Sequence, residues 1–123
     1  MTGAAALLAA ATFNLVCTGA TTNGPMFDIN AKGSPVRTVI RVDLDSGRWC
    51  SGDCATTSEI NEIQETSIIF RAKEDERGDD FFAVNRESGK FIDRTRSFSI
   101  NWSTLTIGTC EKAPFTGFPA RRF

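Results

Sequence analysis

The chain is 123 residues long, 41% apolar and 24% charged, with a formal net charge of −1 and an isoelectric point near 5.4. One domain is expected at that length, and the slight acidic balance argues against a general nucleic-acid binder. Histidine is absent, which excludes Ser-His-Asp and Cys-His nucleophile arrangements and every histidine metal ligand.

Residues 1–11, M-T-G-A-A-A-L-L-A-A-A, are apolar and alanine-rich. They read as the tail of a secretory signal peptide, with Ala9 and Ala11 as the small residues before a cut ahead of Thr12. The alternative is a short N-terminal helix, because no Lys or Arg precedes Lys32 to form a basic n-region. The run is too short to span a bilayer. Residues 12–123 are then a single β domain.

Phe13, Leu15 and Cys17 share one face of a strand that Gly19 is expected to end. Residues 20–35 hold Gly24, Pro25, Gly33, Ser34 and Pro35 and read as a long loop of the kind that carries function. The clearest strand is 36–44, with Val36, Thr38, Ile40, Val42 and Leu44 on one face and Arg37, Arg41 and Asp43 on the other. Asp45-Ser46-Gly47 turns the chain and Arg48-Trp49-Cys50 return.

Residues 55–65 admit two readings, a helical turn beginning at Ser58 or a strand ending. Thr66–Ala72 is a β-branched strand, and Lys73–Asp80 a charged, solvated turn. Residues 81–95 form a hairpin about Glu87-Ser88-Gly89-Lys90. Ser97–Trp102 alternates with Phe98, Ile100 and Trp102 on one face, and Thr104–Cys110 continues as strand. The C-terminal P-F-T-G-F-P-A-R-R-F is irregular, and its three phenylalanines are expected to lie across the domain and cap one end of the core. Short strands at about ten-residue spacing predict an all-β fold, a small antiparallel barrel in preference to a β-sandwich.

Four cysteines allow three pairings, and Cys17 with Cys110 and Cys50 with Cys54 are favoured. The first pair joins the first strand to the last, where a closing meander brings them together. The second closes a tight loop that Gly52 makes feasible. A zinc site usually shows two close cysteine pairs, and only one is present here; free thiols are the remaining alternative.

Four segments, F-N-L-V-C-T-G at 13–19, R-V-D-L-D-S-G-R-W-C-S-G-D-C at 41–54, N-R-E-S-G at 85–89 and C-E-K-A-P-F-T-G-F-P at 110–119, resemble small uncharacterised exported proteins of alphaproteobacteria. The resemblance implies export and a compact β domain, with no activity to carry over. The placement of Cys17 and Cys110 is also similar to that in periplasmic C-type lysozyme inhibitors, small β-barrels with a cysteine in the first strand and another near the C-terminus. Their lysozyme-contacting motif is not found here.

Chemistry-bearing residues each have a plainer reading. Asp43, Asp45 and Asp53 begin like a calcium loop, but the remaining oxygen ligands are absent and a hairpin turn is preferred. No carboxylate pair is marked out among the 15 acids for glycoside hydrolysis. Arg37, Arg41, Arg86, Arg94 and Arg96 are read as ion pairs with Asp43, Glu87 and Asp93 in preference to a cationic stripe. Asn101-Trp102-Ser103 is an N-glycosylation sequon. Trp49 and Trp102 are expected in the core; in a barrel open at one end either would line a pocket, as would Phe115 and Phe118.

The resulting expectation is a periplasmic or secreted domain without catalytic residues, cofactor, metal or transmembrane span, binding or inhibiting an envelope or extracellular protein and not nucleic acid. The second reading is a barrel carrying an apolar small molecule, and the third an enzyme using carboxylates alone.

Overall fold

A computed structural model describes residues 11–25 and 32–119. The expected segment 1–11 therefore lies outside the described residues except for Ala11. Among the described residues, nine strands form one antiparallel sheet: β1 (Thr12–Pro25), β2 (Ser34–Asp43), β3 (Arg48–Ser51), β4 (Ser58–Glu59), β5 (Glu62–Ile63), β6 (Ser67–Asp75), β7 (Gly78–Asn85), β8 (Lys90–Ser97) and β9 (Trp102–Ala113). Their spatial order is β4-β3-β2-β1-β9-β8-β7-β6-β5. The sheet curls into a half-barrel, so the all-β antiparallel reading holds.

The curl follows from that order. β4 and β5 are adjacent in sequence yet stand at opposite edges of the sheet. Between them, the Ile60 amide donates to the Gly47 carbonyl at 2.8 Å, beside β3, and the Asn61 amide donates to the Phe70 carbonyl on β6 at 3.3 Å. One short stretch therefore stitches both edges, which would otherwise present unpaired backbone. Of the two readings of 55–65 the helical turn is not formed; the region holds two short strands, β4 and β5, and is the clasp of the sheet.

The core lies where the clasp closes. Phe13, Leu15 and Cys17 of β1, Ile40 and Val42 of β2, Trp49 of β3, Ile68 and Phe70 of β6, Phe82 and Val84 of β7, Phe91 of β8 and Cys110 of β9 form one buried cluster. Trp49 and Phe70 meet across the gap with ring centroids 5.0 Å apart, and Phe70 and Phe82 at 4.9 Å. These tilted aromatic contacts add to the apolar area they bury. They fill the interior, so the middle of the molecule holds a packed core.

Several boundaries differ from expectation for identifiable reasons. Gly19 does not end β1, which continues to Pro25 paired with β9. Of the expected loop 20–35, residues 20–25, 34 and 35 are strand, and 26–31 lie outside the described residues. Lys73–Asp80 is mostly strand, turning at Glu76-Arg77, because its acids find arginine partners. Ser97–Trp102 is not a strand: 98–101 is the β8–β9 turn, in which Asn101 takes φ +52°. The C-terminal residues Pro114–Pro119 do cross the domain, but over its outer face. Asn14 Nδ2 donates to Thr116 Oγ1 at 3.0 Å, the Thr116 amide donates to Asn14 Oδ1 at 3.3 Å, and Arg41 donates to the Gly117 carbonyl at 2.9 Å. Asn14 is thus a buried polar residue with both functions bonded.

Both disulfides are present, Cys17–Cys110 and Cys50–Cys54, and no cysteine is free. Cys17 and Cys110 are directly opposed across β1 and β9. Their sequence separation is 93 residues, against 4 for Cys50–Cys54. On the chain-entropy model these loops contribute about 4.5 and about 2 kcal/mol. Replacing Cys17 and Cys110 together with alanine is therefore expected to lower unfolding free energy by about 2.5 kcal/mol more than replacing Cys50 and Cys54, as measured by chemical denaturation of the two double variants.

Candidate functional site

The strand alternation sorts the expected site residues onto two faces. Asp43 faces outward and is spent on its own turn: its Oδ1 accepts from the Asp45 and Ser46 amides at 3.0 and 3.2 Å. Asp53 likewise accepts from the Ala55 amide at 3.1 Å. The Asp43 and Asp53 carboxylates thus serve turn geometry, Asp45 contributes its amide to the first turn, and Gly47 and Gly52 at positive φ complete the turns. Among the described residues no group of three or more His, Cys, Asp or Glu is arranged to hold a metal ion, and no helix is long and apolar enough to cross a membrane.

The arginines are dispersed. Arg41 holds the C-terminal crossing and Arg37 lies exposed on the outer face of β2. Arg94 and Arg96 converge on Asp79, whose side chain is 6% exposed. Arg96 forms the closer contact through both Nε and Nη2. Their guanidinium groups also lie over the Phe81 and Phe98 rings at 5.7 Å. Asp79 was hidden inside an apparently solvated charge run, and Asp43 and Glu87 are not the partners used. Hydrogen bonding from Arg96, reinforced by the charges of Arg96 and Arg94, holds the Asp79 carboxyl below its ordinary value near 3.8.

A second ion cluster lies on the inner face. A β-bulge between Ile69 and Arg71 leaves Phe70 in the core and sets Arg71 opposite Phe82. Arg71 donates to Asp93 at 2.6 Å and approaches Asp80 to 3.5 Å. Burial raises the Asp93 pKa and the nearby Asp80 charge adds to the rise, against the lowering pull of Arg71.

The tryptophans separate. Trp49 is 6% exposed and central to the core, whereas Trp102 is 44% exposed, correcting its expected burial. Phe115 and Phe118 stack edge-to-face at 5.3 Å. Phe118 lines an outer hollow with Arg48 and Thr57. The Asn101 sequon sits in the exposed β8–β9 turn.

A concavity opens at the clasped end of the half-barrel. It encloses about 350 Å³ and has an apolar floor of Phe13, Leu15, Ile68 and Val84. Its wall is the β7–β8 turn, residues 85–89. Asn85 Oδ1 accepts from the Glu87 and Ser88 amides, both at 2.9 Å, and Gly89 takes φ +75°. The turn is fastened on both sides: the Cys110 amide donates to the Gly89 carbonyl at 2.7 Å, and the Arg86 amide donates to the Thr66 carbonyl at 2.8 Å. Arg86, Glu87 and Lys112 ring the mouth, and Lys112 Nζ lies 5.2 Å from the Phe13 ring centroid. The rim thus carries two cations against one carboxylate. Lys112 drew no attention in the sequence; its period of two from the buried Cys110 was the available signal.

Comparison of the chain with protein-family models, with curated proteins and with solved structures finds no match.

The Asp79 cluster generates a signed pH dependence. A carboxylate with a depressed folded pKa contributes stability above the unfolded value and loses it as pH falls through the folded value. Asp79→Asn is expected to destabilise the domain at neutral pH. Unfolding measured from pH 7 downward should show the two proteins converging once pH drops below the ordinary aspartate range; a difference that persists unchanged into acid rejects the electrostatic account.

Proposed function

We propose that this is a non-enzymatic binding domain that takes an apolar group carrying an anionic head into the pocket at the clasped end. The partner is an envelope or extracellular protein presenting a hydrophobic residue beside a carboxylate. The observation that carries the reading is the pocket itself, in which buried Phe13, Leu15, Ile68 and Val84 form a floor beneath the cations Arg86 and Lys112. Such a mix of apolar wall and few convergent polar groups is the usual make-up of a binding site. A charge-assisted bond to a carboxylate would add to apolar burial and orient the ligand.

A carrier role for a wholly enclosed apolar ligand is less well supported, because the aromatic rings fill the interior. The two disulfides are compatible with an oxidising compartment, periplasmic or extracellular, which supports meeting such a partner outside the cytosol.

Short peptides ending in Leu or Phe with a free C-terminal carboxylate are suitable probes. Titration is expected to shift the backbone amides of Asn85–Gly89 and Lys112 in heteronuclear NMR spectra. The double substitution of Arg86 and Lys112 by glutamate should weaken binding at least tenfold, the order expected on losing a hydrogen bond to a charged group, while leaving the folded spectrum intact. Equal affinity for the C-terminally amidated peptides, or shifts confined to other surfaces, would reject the assignment.

A further inference from the structure

At the other end the sheet changes character. β3 and β5 pair with the clasped halves of β2 and β6, and β4 pairs with β3. Beyond them β2, β1, β9, β8, β7 and β6 run on, and among the described residues no layer opposes the inner face of this extension. Alternation without a register shift carries the inner face of β9 from buried Cys110 through Gly108, Thr106 and Thr104 to Trp102. The same face of β1 passes from Cys17 to Thr21 and Asn23, and that of β8 from Phe91 to Asp93 and Thr95.

The result is a trough of hydroxyls and amides. Thr21 and Thr106 share a hydrogen bond at 2.6 Å, and Thr104 donates to Asn23 Oδ1 at 2.8 Å. Each of these groups retains further donor or acceptor capacity. Asp93, Asp80 and Arg71 border the core side of the trough, each side chain about one-third exposed. At the opposite lip stands Trp102, 44% exposed and paired with Pro25 and Ser97.

We propose that this trough binds a neutral oligosaccharide. An exposed indole offers an apolar face to the C–H side of a sugar ring, while threonine, asparagine and aspartate donate to or accept from its hydroxyls. On this face Arg71 and Lys73 meet Asp80 and Asp93, with Asp75 following by alternation and paired to Arg77 in the turn, so charge complementarity favours an uncharged ligand over a polyanion. A lipid or apolar peptide would leave the hydroxyl row unpaired, at a cost for every group it desolvates. The trough and the clasped-end pocket use different residues, so the two assignments stand independently.

Titration of the full chain with cellohexaose, chitohexaose, maltohexaose and xylohexaose, followed by Trp102 side-chain and backbone NMR shifts, tests the proposal. At least one sugar is expected to perturb Trp102, Thr104, Thr106 and Asn23 together. Trp102→Ala should weaken that binding tenfold or more, and Trp102→Phe should restore part of it. Asp93→Asn should weaken it several-fold, whereas Lys112→Glu at the other end should leave it unchanged. The proposal is overturned if no neutral sugar binds, or if Trp102→Ala binds as the parent does. It is equally overturned if only sulfated or uronic polymers bind and the shifts fall on the outer face around Arg94 and Arg96. Retention of the parent's spectrum outside the β8–β9 turn in Trp102→Ala and Trp102→Phe separates lost binding from lost folding.

Discussion

A sheet that is closed at one end only is the constraint on which the rest of this structure depends. The stretch Ser58–Ile63 gives its backbone to both edges, and β3 is only four residues long. Closure therefore reaches no further than the layer containing Trp49, Phe70 and Phe82. Inside it, side chains on the inner face are removed from water and are apolar. Outside it, the same face of the same strands has no layer above it among the described residues, and its side chains are half-buried or exposed. The switch from Leu15 and Cys17 to Thr21 and Asn23 along β1, and from Phe91 to Asp93 and Thr95 along β8, follows from that geometry. Burial of an unpaired threonine or aspartate in the closed half would be costly, while apolar residues in the open half would expose a patch.

The passage from closed to open is marked by glycine. Gly19 and Gly108 oppose each other on β1 and β9. A Cβ on either would run into the backbone of the facing strand. The two strands approach there more closely than side chains allow, immediately beside the Cys17–Cys110 bridge. Glycine inside a strand commonly marks such close approach. This accounts for a residue that sequence reasoning takes as a terminator: Gly19 permits β1 to continue, and nothing in the local sequence distinguishes the two uses.

How much was legible follows the same division. Where one face is buried, period-two alternation found the strands and their inward residues, as in Phe13-Leu15-Cys17 and Ile40-Val42. Where the inner face is wet, that contrast disappears. Thr21 and Asn23 look like loop residues because both faces of β1 are polar there. Lys73–Asp80 looks like a solvated tip because its charges are visible in sequence and their partners are not: Asp79 is satisfied by Arg96 and Arg94 from β8, about 17 residues away. Conversely, Phe98, Ile100 and Trp102 alternate perfectly well and still form a turn and its exit, with Ile100 70% exposed. The clasp was unreadable for a different reason. Two-residue strands carry too little pattern, and the roles of Ile60 and Asn61 exist only once Gly47 and Phe70 have been placed.

The candidate sites inherit their rigidity from this arrangement. The pocket at the clasped end has a floor that is also the hydrophobic core, and its wall is tied by the Cys110 amide to Gly89. Cys110 also anchors the disulfide beside which the open trough begins. A single cross-link therefore fixes the β1–β9 register for both ends: pocket residue Lys112 lies two positions to one side of Cys110, and Thr106 and Trp102 lie on the same face to the other. Preorganisation of that kind lowers the ordering cost of binding. It also explains how polar inner-face residues are held with no second layer above them among the described residues. They are aligned by the strands that carry them, and those strands are aligned by the closed half, so the packed end of the sheet gives the unpacked end its shape.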